Sequence, residues 1–585
     1  MALTPQTLLN HRVAQALHDA FGPTLALPEV LVQPSRDPRH GDYTCATPMA
    51  LARKLGRPPD ELALRLAAVL DLTGICEAPE VVAPGFVNLR LRDDWLAARV
   101  GDLVGDEELG LAPAPRPATL VIDYSGPNLA KEMHVGHLRS TIIGDCLANV
   151  AERRGDAVER VSHVGDWGTQ FGMLVAHLDE VAPEAENGGP IAIGDVATFY
   201  REASARFGAD PAFAEAARRR VVDLQSGEPR AGTAWRALVE LSTTENQTVY
   251  DLLGVHGLIE RGESSYQPLL AGVVADLEAA GLVVVDGGAK CVFVHGFTNT
   301  EGDPLPLIVQ KADGGYNYAT TDLAALRSRI EGGADRLAYV ADAGQSQHFQ
   351  MVFAVARMAG WIPAGVEVTH VAFGLVLGEG GQRLRTRSGD NVRLADLLGE
   401  AVERARAFVV ERAAERDEPV PDDVDEVARV VGVGAVKYAD LSQNRNSNYV
   451  FSFDRMLSLK GNTAPYLQYA YVRIRSILRE AGWAEGPPEG AGRAVSLGEP
   501  QERALALHLV VLGDVIERVA GEYLPNHLCA HLYELSQAYH AFYEHCPVLR
   551  VDEPLRSSRL ALCEVTATTL RQGLALLGIE VLERI

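Results

Sequence analysis

Along the 585-residue chain the spacing of apolar positions changes character twice. Up to about residue 110 the signals alternate between helix and strand. PQTLLNHRVAQALHDAF reads as an amphipathic helix, and two turn-rich stretches follow, SRDPRHGDY (35–43) and APGFVNLRL (83–91). Pro113, Pro115 and Pro117 in LAPAPRPAT (111–119) forbid regular helix or central strand and mark the first seam. Beyond it, TLVIDY (119–124) predicts a buried strand. LRSTIIGDCLANVAERRG (138–155) places Ile142, Ile143, Cys146, Leu147 and Val150 at helical spacing before a stop at Gly155, and AVERVSHV (157–164) predicts the next strand. Strand, turn, helix and strand within so short a span is a βαβ unit, which implies a parallel sheet.

Further strands are predicted at 282–286, 290–295, 306–311, 336–342 and 368–376, with a helical insertion at about 175–280. From about 396 onward the strand signal ends and successive amphipathic helices take over, broken by EGPPEGAGRAVSLGEP (485–500). The expected architecture is multidomain α/β plus all-α. An N-terminal α+β domain (1–115) precedes a parallel, Rossmann-like sheet domain (116–395), and a C-terminal helical bundle (396–585, core about 455–585) closes the chain.

Composition narrows this picture. With 47% hydrophobic and 23% charged residues, large cores are expected and wholesale disorder is excluded. The formal charge of −24, from 54 basic and 78 acidic residues, taken alone argues against a uniformly basic nucleic-acid binder. Seven cysteines are scattered without a Cys-x-x-Cys pair, so reduced thiols are expected rather than a disulfide framework or zinc site. No signal-peptide pattern and no apolar run long enough to span a membrane occur in the sequence, so a cytoplasmic protein without membrane association is expected.

The strongest chemical signal is DYSGPNLAKEMHVGHLRST (123–141), between the first sheet strand and its helix. Ligands of parallel sheets bind at the carboxyl ends of strands, where turn amides and helix N-termini face anions. That position holds Asn128, Lys131, His134, Gly136 and His137. Gly136 permits close backbone approach, and two histidines three apart can aim N–H donors at phosphate oxygens. Two blander readings compete. The histidines could simply satisfy backbone groups at a helix start, or bind zinc, although no third ligand is evident beyond Cys146. Neither a P-loop nor a dinucleotide fingerprint is present.

HVGH within PNLAKEMHVGHLRSTIIGD resembles the "HIGH" signature of class I aminoacyl-tRNA synthetases, in the form typical of the arginyl family. SHVGDWGTQFG (162–172), GESSYQ (262–267), KADGGYNYATTDLAALR (311–327), DAGQSQHFQMVF (342–353), FGLVLGEGGQRLRTRSGDNVRLADLL (373–398) and VGAVKYADLSQNR (433–445) resemble blocks of that family, in its order. SRDPRHGDY and PGFVNLRL resemble its N-terminal additional domain. GNTAPYLQYAYVRIRS (461–476) and GLALLGIEVLERI resemble its helical anticodon-binding domain. The resemblance implies ATP-dependent activation of L-arginine to arginyl-adenylate, with release of pyrophosphate, then transfer to the 3′-terminal ribose of tRNA(Arg). ATP would be the co-substrate, with Mg²⁺ accompanying it and no structural metal in the protein; a monomer is expected.

By the same resemblance His134 and His137 are catalytic; Lys131, upstream of them, is a candidate cation to compensate for a missing signature lysine. His134, Gly136 and His137 would contact ATP, together with Arg383, Arg385 and Arg387 of GQRLRTRSGD (381–390). This last segment takes the place of the "KMSKS" signature but lacks its lysine; guanidinium groups can clamp phosphate bidentately, or the three arginines could form a solvated loop. A guanidinium substrate needs carboxylate and planar acceptors. The resemblance assigns that grip to Tyr318 and Asp322, and further substrate contacts to Gln345, Asn128 and His137, with Gly126 and Pro127 in the same turn. Asp123 is open between substrate contact and turn capping.

From Lys437 to Glu480 seven basic residues face three acids, a local excess of four positive charges, interleaved with Tyr438, Tyr449, Phe451, Phe453, Tyr466, Tyr469 and Tyr471. Cations with stacking rings suit unpaired bases, although aromatics at helical spacing are more often core. Tyr466, Tyr469, Arg473 and Arg475 are the candidate tRNA contacts. Two alternatives stay open: a class I synthetase for another amino acid, and a non-catalytic RNA-binding homologue.

Overall fold

The computed structural model describes residues 4–584, apart from 29, 36, 112, 115, 130, 183–195, 385–391, 416, 418 and 489–492. Two compact units divide the chain, and both are discontinuous in sequence. One joins 1–113 to 459–575 and 580–585; the other joins 114–458 to 576–579.

The second unit is built on five parallel strands: β1 (Thr119–Asp123), β2 (Ala157–Val164), β3 (Ile259–Gly262), β4 (Arg336–Asp342) and β5 (Glu367–Phe373). Their spatial order is β5-β4-β1-β2-β3, so the order reverses between β1 and β4, where crevices form above the strand ends. Tyr339 of β4 pairs with Asp123, which pairs with Val161 of β2. Helix α1 (Val135–Arg153) follows β1 and is buried along most of its length, with Leu138, Ile142, Ile143, Cys146, Leu147 and Val150 among its buried residues. Gly144 lets it close on the strand end. A Cβ there would stand 2.2 Å from the Tyr124 ring.

The sequence expectation differs here in three respects. Ile259–Gly262 lies inside the stretch read as helical insertion, yet it forms the β3 edge of the sheet. Its four residues, half exposed, carry no apolar run. The insertion itself comprises the helices Val196–Ala209, Pro211–Gln225 and Pro229–Leu253 (the last named α2), around a core of Phe171, Leu174, Phe213 and Leu238. The segments Val284–Asp286, Ala289–Thr298 and Pro304–Gln310 form a separate antiparallel sheet rather than extending the parallel one. Finally, helices Leu394–Glu415 and α5 (Val424–Leu441), expected to open the C-terminal bundle, belong to the sheet unit. Between the antiparallel sheet and β4 runs α3 (Tyr318–Glu331), and between β4 and β5 runs α4 (Ser346–Met358).

The tetrapeptide Leu576–Ile579 completes this unit. The buried Lys437 of α5 donates its ammonium protons to the carbonyls of Leu253 (2.5 Å) and Gly578 (2.6 Å). Gly578 has φ +67°, and a Cβ there would lie 2.7 Å from Lys437 Nζ and 2.9 Å from Asp145 Oδ2.

In the first unit an antiparallel four-stranded sheet and its helices share one unit with the helices Ala464–Glu480, Pro500–Val510, Leu512–Glu522, Asn526–His545 and most of Leu555–Leu576. Arg503 ties the two regions by gripping Asp42 (2.8 Å), Asp93 (2.6 Å) and the Leu91 carbonyl (2.9 Å). Asp514 accepts from Gln6 N (3.1 Å) and Thr4 Oγ1, so a C-terminal helix caps the first helix of the chain. The continuous basic and aromatic patch expected over 437–480 is not one surface. Its first part lies in the sheet unit, where Lys437, Tyr438, Tyr449 and Phe451 are buried. No described helix is long and apolar enough to cross a membrane. All seven cysteines are buried and none is in a disulfide.

Candidate active site

Above the reversal between β1 and β4 lies a cavity of about 600 Å³. The chain leaves β1 through Asp123 into Ser125 and Gly126, both with left-handed φ (+70° and +56°). A serine held there is strained, and hydrogen bonds secure it. Ser125 N donates to Ser140 Oγ (2.8 Å), while Ser125 Oγ meets Tyr250 Oη of α2 at 2.9 Å. Ser140 in turn donates to the Val340 carbonyl of β4 (2.6 Å), which locks α1 to the crevice.

The two histidines cap α1 and face the cavity at once. Gly136 N donates to His134 Nδ1 (3.0 Å), and His134 N donates to His137 Nδ1 (3.1 Å). The bland reading, in which they satisfy backbone groups, therefore describes one nitrogen of each ring. A nitrogen that accepts carries no proton, so each neutral ring keeps its proton on Nε2 as a donor. The rings stack 4.0 Å apart. Burial, with Lys131 nearby, lowers the pKa of His134. Burial, with His134 beside it, lowers that of His137 to about 3. Both are neutral donors near pH 7.

Asp123, Gly126, Asn128, His134, Gly136, His137, Tyr318, Asp322, Gln345 and Arg383 all line the cavity. The amide of Asn128 lies over Gly165, where a Cβ would stand 2.2 Å from its Oδ1. Tyr318 and Asp322 sit one turn apart on α3, whose start is capped by Asn317 accepting from Ala319 and Thr320. Tyr318 is 64% exposed and stands at the mouth. Arg383 is exposed and bridges to Leu377. Downstream, Val135 N donates to the Val392 carbonyl (3.0 Å), Leu394 N to that of Met133 (2.9 Å), and Arg393 pairs with Glu132.

Other expected residues stand elsewhere. Pro127 is buried beneath the turn, its carbonyl accepting from Gly165 N (3.2 Å), and Lys131 lies over the Tyr200 ring at 4.9 Å. Neither lines the cavity. Arg385 and Arg387 lie outside the described residues. Asp123 is ion-paired to the buried Arg329 of α3 (2.8 Å) and accepts from His163 N (3.2 Å), which makes it a fixed wall. Of the candidate tRNA contacts, Tyr466 packs against Tyr533 and His540, and Tyr469 is half-buried. Arg473 lies 4.4 Å over the Tyr543 ring, and Arg475 pairs with Glu583 at 3.0 Å.

Glu263, His348 and Arg329 were not singled out by the motif reading. Glu263 follows β3 and lines the cavity. Burial, then the charges of Asp322 and Asp166, push its carboxyl up to about 7. Asp166 accepts from Ser264 N (2.9 Å) and Ser264 Oγ (2.5 Å), which fixes the turn that carries Glu263. A carboxylate just beyond a parallel strand is itself a site signal, but the short, half-exposed β3 carries no apolar run to announce the strand. The described residues contain no cluster suited to hold a metal.

A parallel sheet whose strand order reverses beside a histidine-capped helix is found here in a chain whose central part matches the catalytic domain of a class I aminoacyl-tRNA synthetase. The family model described as "tRNA synthetases class I (R), catalytic domain" matches residues 101–453. Those of the arginyl-tRNA synthetase N-terminal domain and the DALR anticodon binding domain match 7–91 and 467–585. The chain belongs to the arginyl-tRNA synthetase family. It is 54% identical over 585 residues to the arginine–tRNA ligase of Synechococcus sp., covering 99% of each chain. It is 52% identical over 588 residues to that of Thermosynechococcus vestitus, covering 100% of each. Among solved structures it resembles arginyl-tRNA synthetase from Plasmodium falciparum (TM-score 0.87, 30% identity, all of both chains). It also resembles that of Thermus thermophilus (TM-score 0.81, 27% identity, 99% of this chain and all of the other).

Proposed function

We propose that the chain is an arginine–tRNA ligase whose first step runs in the cavity above β1 and β4. The observation that carries this reading is that one cavity holds two neutral imidazole donors and two adjacent carboxylates, Glu263 and Asp322. Phosphate oxygens call for the donors, and a guanidinium calls for the acidic pair. An oxygen of the arginine α-carboxylate attacks the α-phosphorus of ATP, bound with Mg²⁺. The bond to the bridging oxygen breaks, and pyrophosphate leaves with its electron pair. His134 and His137 donate Nε2–H to the phosphate oxygens as charge redistributes, and Arg383 supplies a cation. Tyr318, Gln345, Asn128 and Gly126 complete the substrate wall. Positioning and electrostatics suffice, so no protein nucleophile is assigned. The adenylate carbonyl is then attacked by the 2′-hydroxyl of the tRNA(Arg) terminal ribose, releasing AMP. The helices after 459 receive the anticodon arm, with Tyr466, Tyr469 and Arg473 as candidate contacts, and the enzyme acts as a cytoplasmic monomer.

Arginine-dependent pyrophosphate exchange, measured with and without tRNA, and charging with each of the twenty amino acids test this reading. Exchange with arginine and charging by arginine alone are expected, with severe loss in Asp322→Asn. Charging by another amino acid would overturn the substrate assignment, and no exchange under either condition would overturn the enzymatic one.

A further inference from the structure

Asp322 is approached by histidines from two separate elements. His348, on α4, places Nε2 2.5 Å from Asp322 Oδ2. His163, on β2, stands with Nδ1 3.9 Å from Oδ1, beyond hydrogen-bonding reach. The His348 ring is packed between two aromatic rings, tilted against Tyr318 at 4.8 Å and edge-on to Phe349 at 5.4 Å. Phe349 is itself buried and stacks on His370 at 4.7 Å. His348 thus has a fixed orientation, and one oxygen of Asp322 is committed to it.

We propose that His348 is a positioning residue for arginine recognition: it holds Asp322 through Oδ2 so that Oδ1 is presented to the substrate guanidinium. This rests on the arginine reading of the cavity. A histidine ring can hold one carboxylate oxygen through a single N–H, whereas a permanently charged lysine or arginine at this place would neutralise the carboxylate and repel the substrate. The same ring carries Tyr318, so one side chain orders two of the groups around the guanidinium. Without it, Asp322 can rotate toward solvent or toward His163.

The test compares His348→Ala, His348→Gln and wild type by arginine-dependent pyrophosphate exchange and by calorimetric titration of arginine, with tRNA present. Losing a hydrogen bond to a charged group weakens binding by roughly tenfold or more. His348→Ala is therefore expected to raise the arginine KM and Kd by at least about tenfold, kcat falling by less than KM rises and the ATP KM staying within about twofold. Glutamine places an amide N–H where Nε2 stands and is expected to return the arginine KM to within about threefold of wild type. An arginine KM within twofold of wild type in His348→Ala would overturn the proposal. So would equal rises in the arginine and ATP KM, or failure of glutamine to rescue in a variant with the wild-type melting temperature. Wild-type protein that does not bind arginine would instead remove the arginine reading, and the proposal with it.

Discussion

In the proposed arginine site, Glu263 would make binding a proton-linked event. Burial, then the charges of the neighbouring Asp322 and Asp166, push its carboxyl up to about 7. A guanidinium reverses that balance, so arginine binds the ionised form and the protonated form must first release its proton. With a midpoint near 7, about nine-tenths of Glu263 is ionised at pH 8 and about one-tenth at pH 6, so the arginine Kd should weaken about tenfold between them. The same shift has a stability consequence of opposite sign. A carboxyl raised above its unfolded value penalises the fold as pH rises from about 4.5 to 7, and the penalty is fully present above 7. It approaches about 3 kcal/mol at pH 8 and is under about 1 kcal/mol at pH 5. Glu263→Gln should therefore raise the melting temperature at pH 8 much more than at pH 5, while weakening arginine binding and removing the acid limb from its pH profile. Calorimetric titration from pH 6 to 8, with thermal melts of both proteins, reads both effects. An arginine Kd that is flat over this range in wild type, or an acid limb that persists in Glu263→Gln, would refute the linkage.

Gly136→Ala puts a methyl group 2.7 Å from the His134 ring. It should cut pyrophosphate exchange by at least about tenfold through a displaced donor, with the melting temperature nearly unchanged. Arg503→Ala leaves Asp42 without its guanidinium partner in the first unit, and urea unfolding should register a loss of about 2–3 kcal/mol. Gly578→Ala forces a Cβ against Lys437 and Asp145 at a left-handed position; a loss of about 2 kcal/mol or more is expected in thermal melts, whereas Gly302→Ala, in an open turn at φ +90°, should cost only about 1 kcal/mol.

Where local pattern and tertiary role agreed, the sequence was legible. β4 spans the expected residues 336–342, and β1 and α1 fall within a few residues of their predicted limits because a buried strand and a buried helix face each write a periodic signal. The HVGH turn and the Tyr318–Asp322 spacing likewise place five of the named site residues (His134, Gly136, His137, Tyr318 and Asp322) on the cavity wall. Partners chosen across the fold were not legible. Arg329 resembles any charged residue late in a helix until Asp123 is seen beside it, and His348 until Asp322 is. Lys437 reads as a cationic surface residue by composition, yet three backbone and side-chain groups from distant segments make a buried place for it. Glu263 lies in the block GESSYQ, yet the weak signal of the edge strand before it gives no reason to place its carboxylate at a strand end.

The return of Leu576–Ile579 to the sheet unit bears on how the protein is made. A ribosome delivers the chain from its N-terminus, and residues 114–458 emerge more than a hundred residues before the tetrapeptide that finishes their unit. At about 5–20 residues per second, that interval lasts roughly 6–24 s. Through it the nascent sheet unit carries an ammonium group at Lys437 whose Gly578 carbonyl does not yet exist, and water must stand in for it. The last hydrogen bond of this unit can therefore form only after the helices that precede the tetrapeptide have been synthesised.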